Sequence, residues 1–327
     1  MMTSAYVMYS GGLDSMLAAM LMRRQGIRTV CVTFSSAFFT AEKARESAEK
    51  LGFETLVRDI TDIHLAMVKN PPHGYGKNMN PCIDCHAMMF RTARNLLDSE
   101  EGDFLVSGEV LNQRPMSQNE RALKVVESTA LADGLLLRPL SAKLLDPTPM
   151  ELDGRVNRDY LMDFQGRNRK PQMDLAASFN ITEYPSPAGG CKLTDPRFSA
   201  RLRELLNTEP NCTARDALQL GLGRHFRFSG GSKLIIARDS EESEMALATH
   251  AWSDDILMEA ADVSGPVAII PAASFNENDM DAIFSLFSSY LKEECNEIRL
   301  FGINDREISR KPKPQPMTRE KVKNFLI

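Results

Sequence analysis

Two stretches hold residues whose types and spacing could do chemistry. The first is Ser10-Gly11-Gly12-Leu13-Asp14-Ser15, directly behind the apolar run 5–9. Glycines permit a tight turn and close backbone approach, and a helix starting there offers unpaired amides to an anion. A phosphate or pyrophosphate fits that description. The G-x4-G-K-[ST] spacing of a kinase-type loop is absent, which argues against simple γ-phosphate transfer. The plainer alternative is a Gly-rich turn capped by Asp14.

The second stretch holds Cys82 and Cys85, three apart at a helix start, where both thiols can converge on one metal. Cys191 supplies a third thiol behind Pro187, Gly189 and Gly190, which read as a rigid, close-approach turn. Three thiolates on a [4Fe-4S] cubane leave one iron open for a small ligand, whereas a structural zinc site takes four protein ligands and closes. Two other readings stay open: zinc with His86 or Asp84 as fourth ligand, and a cysteine pair working through persulfide and disulfide. Asp84, between the thiols, reads equally as a catalytic acid or base and as a helix cap. Cys31, Cys212 and Cys295 read as ordinary cysteines. His64, His73, His86, His225 and His250 lack metal-ligand spacing and read as surface or satisfied core positions.

These residues need a scaffold. Strand patterns at 5–9, 27–34 and 54–58 alternate with helical patterns at 14–25, 41–51 and 62–69, with Gly26 and Gly52 as stops. That is the grammar of a doubly wound parallel α/β sheet. Residues 70–81 form a Gly/Pro/Asn-rich loop, followed by a helix over 82–100 and a strand over 104–106. The strand runs into Ser107-Gly108-Glu109 at the ligand-facing edge of such a sheet. Gly108 and Glu109 are therefore candidates to contact ATP or a target base, as are Gln113, Arg114 and Ser117. A helix near 117–132 and a strand near 135–138 follow, then a loop-rich stretch over 139–195 of a length that usually signals function.

From about residue 222 short strands take over. Gly230-Gly231 joins strands at 224–229 and 233–238 as a hairpin, and strands near 267–270 and 297–301 enclose a helix near 279–292. The expected division is a catalytic nucleotide-binding domain at 1–145, an extension carrying the third cysteine at 146–221, and a small α+β module at 222–327.

With 327 residues, 43% of them hydrophobic and 25% charged, the chain is globular and too long for one small domain. Its 39 basic and 44 acidic residues neither demand nor forbid nucleic acid. Residues 1–25 carry Asp14 in their apolar stretch and no cleavage-type boundary, and no apolar run is long enough to span a bilayer. The reading is a cytoplasmic protein with reduced cysteines and no membrane partner.

Within this frame, SGGLDS resembles the SGGxDS signature of PP-loop ATP pyrophosphatases, which cleave ATP between the α and β phosphates and adenylate a substrate. The resemblance implies that Ser10, Gly11, Gly12, Asp14 and Ser15 hold the pyrophosphate end of ATP, with Mg2+, and that residues around Phe34 lie near the adenine or ribose. Asp14 counts among the catalytic candidates with Cys82, Cys85, Cys191 and Asp84. Over residues 4–207 the chain resembles cluster-dependent tRNA 4-thiouridine synthetases of the short type without a THUMP domain. That likeness rests on CIDC, SGEVLNQRPMSQ (107–118), RPLSAKLL (138–145), GRNRKPQ (166–172) and SPAGGCKLTDPRFSARLREL (186–205). GRHFRF and KLIIARDSEE resemble an NFACT-R-like RNA-associated module.

The resemblance implies that a uridine oxygen attacks the α-phosphate, AMP becomes the leaving group, and sulfide held on the open iron replaces it, with position 8 of tRNA as the target by family pattern. Sulfur comes from inorganic sulfide or a donor protein. Arg114, Arg167, Arg169, Lys170, Arg201, Arg224 and Arg227 are the candidate RNA contacts, against the plainer reading of a solvated charged face. A homodimer, with one protomer's module presenting tRNA to the other's active site, is the oligomeric arrangement considered. The alternatives are 2-thiouridine formation, amidation by the same adenylation logic, and an RNA-binding or cluster-carrier protein without catalysis.

Overall fold

In β1 (Ser4–Met8), Ala5 and Val7 enter one apolar cluster and Tyr6 the other, the period-two alternation of a strand covered on both faces. The computed structural model describes residues 2–99, 102–186 and 190–327, in two units that divide between Asp195 and Pro196. Pro187 and Gly189 of the expected turn before Cys191 lie outside the described residues, as does Glu100 at the expected helix end.

In the first unit β1 leads through α1 (Leu13–Arg24), β2 (Arg28–Ser35), α2 (Glu42–Lys50), β3 (Glu54–Asp59), α3 (Thr61–Lys69), α4 (Cys82–Ser99), β4 (Phe104–Ser107) and α5 (Glu120–Thr129) to β5 (Leu136–Leu137). All five strands are parallel, in the order β3-β2-β1-β4-β5. Leu17, Leu21, Ala44 and Ala48 from α1 and α2 fill the core on one face. Phe90, Ala93 and Leu97 of α4, with Val126 of α5, fill the other. Because β1 is flanked by β2 and β4, the winding reverses there. The carboxyl ends of β1 and β4 thus border the switch point at which such sheets bind ligands.

Residues after β5 continue this unit with α6 (Pro149–Leu152) and α7 (Lys170–Ser178), so the division expected at 145 is not where the chain parts. Met150, Val156, Leu161, Ala176 and Ile181 join the α1 cluster, and backbone bonds from Met162 to Pro139, Phe164 to Leu140 and Gly166 to Leu111 tie the stretch down. The loop-rich segment folds onto the sheet because its apolar side chains have that core to enter.

The second unit contains α8 (Pro196–Thr208), α9 (Ala214–Gln219), β6 (Arg224–Arg227), β7 (Lys233–Ile236), α10 (Ser240–Met245), β8 (Ile256–Ala260), β9 (Ala268–Ile270), α11 (Met280–Ser288), β10 (Glu297–Phe301), β11 (Glu307–Pro312) and α12 (Arg319–Lys323). Its strands form an antiparallel sheet in the order β11-β10-β8-β9-β7-β6, and α11 buries Ile283, Phe284 and Phe287 in one of its cores. α8 and α9 belong to this unit and precede the module expected at 222–327. Sequence reading misses β8 and β11. β11 lies at the sheet edge with mostly exposed side chains and shows no apolar alternation, since pairing with β10 takes only its backbone.

Candidate functional site

The turn between β1 and α1 is shaped by contacts that only glycine allows. Gly11 has φ +71°, and a Cβ there would stand 2.8 Å from Ala44 Cα, so α2 packs directly on the loop. Ser15 Oγ donates to Gly12 O at 2.8 Å and accepts from Ser10 N–H at 3.3 Å, locking the turn to the first turn of α1. Gly12, the N-cap, supplies no side-chain cap, which leaves the leading amides of the helix turned to whatever precedes them.

The end of β4 closes on this loop. A Cβ at Gly108 would stand 2.7 Å from both Asp14 C and Ser15 N. Just beyond, Gln113 Nε2 donates to Asp14 Oδ2 at 3.1 Å, while Asp14 Oδ1 is buried and has no partner among the described residues. Burial pushes the Asp14 carboxyl up, opposed by the Gln113 bond and by the positive charges of Arg169 and Arg114. Two arginines expected on an RNA face therefore stand beside the phosphate loop.

The three thiols gather nearby. Cys82 opens α4, and its Sγ accepts from Asn80 Nδ2 at 3.3 Å. Cys85 lies about one turn on, buried, with Sγ 3.4 Å from His64 Nε2. Cys191 is seated by backbone bonds at the two residues that follow it, Lys192 N–H to Phe38 O at 2.9 Å and Met79 N–H to Leu193 O at 3.3 Å. An added Cβ at Gly190 would meet nothing within 4 Å, so protein packing places no close approach there. Burial pushes the Cys85 and Cys191 thiols up, and neighbouring cysteines add to it: Cys191 and Cys82 at Cys85, Cys82 at Cys191. The charge of Arg114 opposes the rise at Cys191. All three cysteines are free thiols. Among the described residues no group of three or more His, Cys, Asp or Glu side chains is set to hold a single metal ion.

Other expected site residues are otherwise engaged. Asp84 is 4% exposed, and both its oxygens are taken by His73, through the backbone N–H at 3.0 Å and ring Nδ1 at 2.7 Å. It anchors the 70–81 loop. Glu109 points into the protein, accepting from Arg138 Nε at 3.0 Å and pairing with His86 Nδ1 at 3.0 Å, while Arg138 also bonds Glu127 at 2.7 Å. Burial would raise its pKa, but the His86 bond and the Arg138 charge outweigh burial and hold it at about 2. Such a carboxylate is a structural counter-ion, not a ligand for ATP. Phe34 lies in the α4-side core at 7% exposure, so its ring is turned away from any nucleotide at the strand end.

Among the expected RNA contacts, Arg201 donates to Leu220 O and Gly223 O, and Arg227 is paired with Glu204 and Glu209. Both hold the second unit together. Arg224 lies over the Tyr290 ring, and Arg167 and Lys170 are exposed. Sequence reading misses His64 and Asn80 as partners of the thiols and Arg138 as the partner of Glu109. No motif marks them, because each reaches its partner through the fold. Cys31, Cys212 and Cys295 are buried, as expected of ordinary cysteines.

The parallel sheet with its Gly-Gly turn at the switch point defines a protein of the PP-loop fold. Residues 2–143 match the family described as thiamine biosynthesis protein (ThiI), and residues 223–326 match the one described as NFACT protein RNA binding domain. Curated relatives include a probable tRNA sulfurtransferase of Finegoldia magna, 32% identical over 42% of this chain and 35% of that one. Others of the same name come from Clostridium perfringens, 29% identical over 42% and 36%, and Anoxybacillus flavithermus, 30% identical over 42% and 34%. The chain thus spans about a third of the length of the curated relatives it matches. A solved structure described as a predicted subunit of tRNA methyltransferase from Methanocaldococcus jannaschii has TM-score 0.36 at 16% identity, covering 54% of this chain and 76% of that one, a likeness too weak to bear on function. No helix among the described residues is long and apolar enough to cross a membrane.

Proposed function

We propose that this protein is an ATP-dependent tRNA uridine thiolase that forms 4-thiouridine, with position 8 as the target. The observation that carries the reading is the 3.1 Å bond from Gln113 to Asp14, which brings the segment holding Arg114 to the phosphate loop, where its charge bears on both Asp14 and Cys191. A nucleotide held by the loop and a sulfur source held by the thiols would then border the same side chain.

The uracil carbonyl oxygen is a poor leaving group, so adenylation has to come first. ATP enters as substrate with its pyrophosphate end against the amides of Gly11, Gly12 and the start of α1, and the uridine oxygen attacks the α-phosphate. Arg114 and Arg169 neutralise the departing pyrophosphate, and Asp14 Oδ1, buried without a partner, is the oxygen left to meet Mg2+. Sulfide, free or delivered by a donor protein, then displaces AMP from the activated carbon. Cys82, Cys85 and Cys191 are the residues that would hold a [4Fe-4S] cluster, and such a group would supply an open iron position for a sulfide. The NFACT-type domain is the element that binds the tRNA.

The test is anaerobic reconstitution with iron and sulfide, addition of ATP, Mg2+ and unmodified tRNA, and mass spectrometry of the digested nucleosides, alongside Cys191→Ala. The expected result is 4-thiouridine in the wild type only, with pyrophosphate still released by Cys191→Ala. Thiolation without iron would replace the cluster by persulfide chemistry, and 2-thiouridine as product would overturn the assigned atom.

A further inference from the structure

His64 is a buried imidazole, 0% exposed, that the proposed reaction leaves unused. Its ring is wedged against Phe38, edge-on with centroids 4.8 Å apart, and Phe39 at 5.4 Å. Three contacts run through it in series. Phe38 N–H donates to Ser36 Oγ at 3.1 Å, Ser36 Oγ lies 3.1 Å from His64 Nδ1, and His64 Nε2 lies 3.4 Å from Cys85 Sγ. Since Lys192 N–H bonds Phe38 O, the segment that orients His64 also seats Cys191.

Fully buried between two aromatic rings, the imidazole is neutral and carries one proton. The partner decides which nitrogen holds it. A thiolate has no proton to give, so a contact with ligand-state Cys85 requires Nε2–H. Nδ1 is then bare and takes the Ser36 hydroxyl proton, and Ser36 Oγ still accepts Phe38 N–H.

We propose that His64 is a positioning residue for Cys85: held by Ser36 as the Nε2–H tautomer, it donates a hydrogen bond to the Cys85 thiolate and tunes that sulfur. The effect on a cluster and a standing thiolate at Cys85 both rest on the reading of Cys85 as a cluster ligand; without metal, burial keeps Cys85 a thiol, and Nε2–H meets the thiolate as it forms. A donor on a ligand sulfur draws charge from it and favours the reduced cluster, which raises its potential. In the metal-free protein the same donor stabilises the thiolate and makes Cys85 more reactive.

Two variants separate the bond from the packing. His64→Phe keeps a ring between Phe38 and Phe39 without the donor, and His64→Gln keeps an N–H in the place of Nε2. Each is reconstituted, its iron content checked, and its midpoint potential measured. His64→Phe is expected to shift negative, on the order of 59 mV for a tenfold change in a one-electron equilibrium, and His64→Gln to stay near the wild type. In the metal-free protein, iodoacetamide alkylation of Cys85 at fixed pH, read by mass spectrometry against Cys82, is expected to slow about tenfold in His64→Phe only. Either quantity remaining at its wild-type value in His64→Phe overturns the inference. A wild type that takes up no iron defeats the cluster reading instead, and alkylation alone then decides.

Discussion

Gln113 Nε2 donates to Asp14 Oδ2 across 3.1 Å, although the two residues are 99 positions apart. The bond ties the segment behind β4 to the first turn of α1, and the glycine that lets the two strands' ends approach is Gly108. Gly108→Ala would drive a methyl to 2.7 Å from the Asp14 and Ser15 backbone, which cannot yield as a side-chain tip could. The expected cost is about 1–3 kcal/mol with ATP affinity reduced on the order of tenfold, measured by thermal unfolding and calorimetry. Unchanged ATP binding would show that the loop tolerates displacement.

The charges of Arg114, itself exposed, and of Arg169 bear on Asp14, which separates them from Arg167 and Lys170. Arg114→Ala and Arg169→Ala are expected to weaken ATP binding or slow pyrophosphate release on the order of tenfold each while tRNA affinity stays within about twofold. Gel-shift and pyrophosphate assays on the same preparations check this. The opposite pattern would return both arginines to the RNA face.

Glu109 is the buried hub between Arg138 and His86. Its folded pKa of about 2 lies below the ordinary 4.5, so the stability it contributes is complete above pH 4.5 and is lost as pH falls from there towards 2. Glu109→Gln leaves the Arg138 guanidinium, 7% exposed, with Glu127 as its remaining counter-charge, at a cost of about 1–3 kcal/mol at pH 7. Urea unfolding from pH 7 to 3 should show a smaller loss of stability with acid in the variant than in the wild type.

Lys233 is 2% exposed, and burial, with Arg227 adding to it, pushes its ammonium down to about 8. Here the folded value lies below the ordinary 10.5, so the native state carries a penalty at neutral pH that fades as pH rises from 8 to 10.5. Lys233→Met is expected to stabilise the second unit by about 1–3 kcal/mol at pH 7, with the gain shrinking above pH 8. A destabilised variant would mean that Glu204, Glu209 and Asp216 compensate the charge fully.

Strands and helices of the first unit were readable from residue order because a doubly wound sheet writes itself locally: apolar runs at 5–9 and 27–34 recur as β1 and β2, and Gly26 and Gly52 stop α1 and α2. SGGLDS was readable for the same reason, since turn, N-cap and first helical turn are neighbours in the chain. The thiols at 82, 85 and 191 could be named from their type, but that they share a neighbourhood is a tertiary fact, carried by backbone bonds from Lys192 to Phe38 and Met79 to Leu193. Only the fold turned Glu109 inward to Arg138, sent Phe34 into the core, tied Arg201 and Arg227 to their own unit, and set His64 against Cys85. A side chain's type limits what it can do. Which partners surround it in three dimensions depends on packing between elements far apart in sequence, and no local pattern records that.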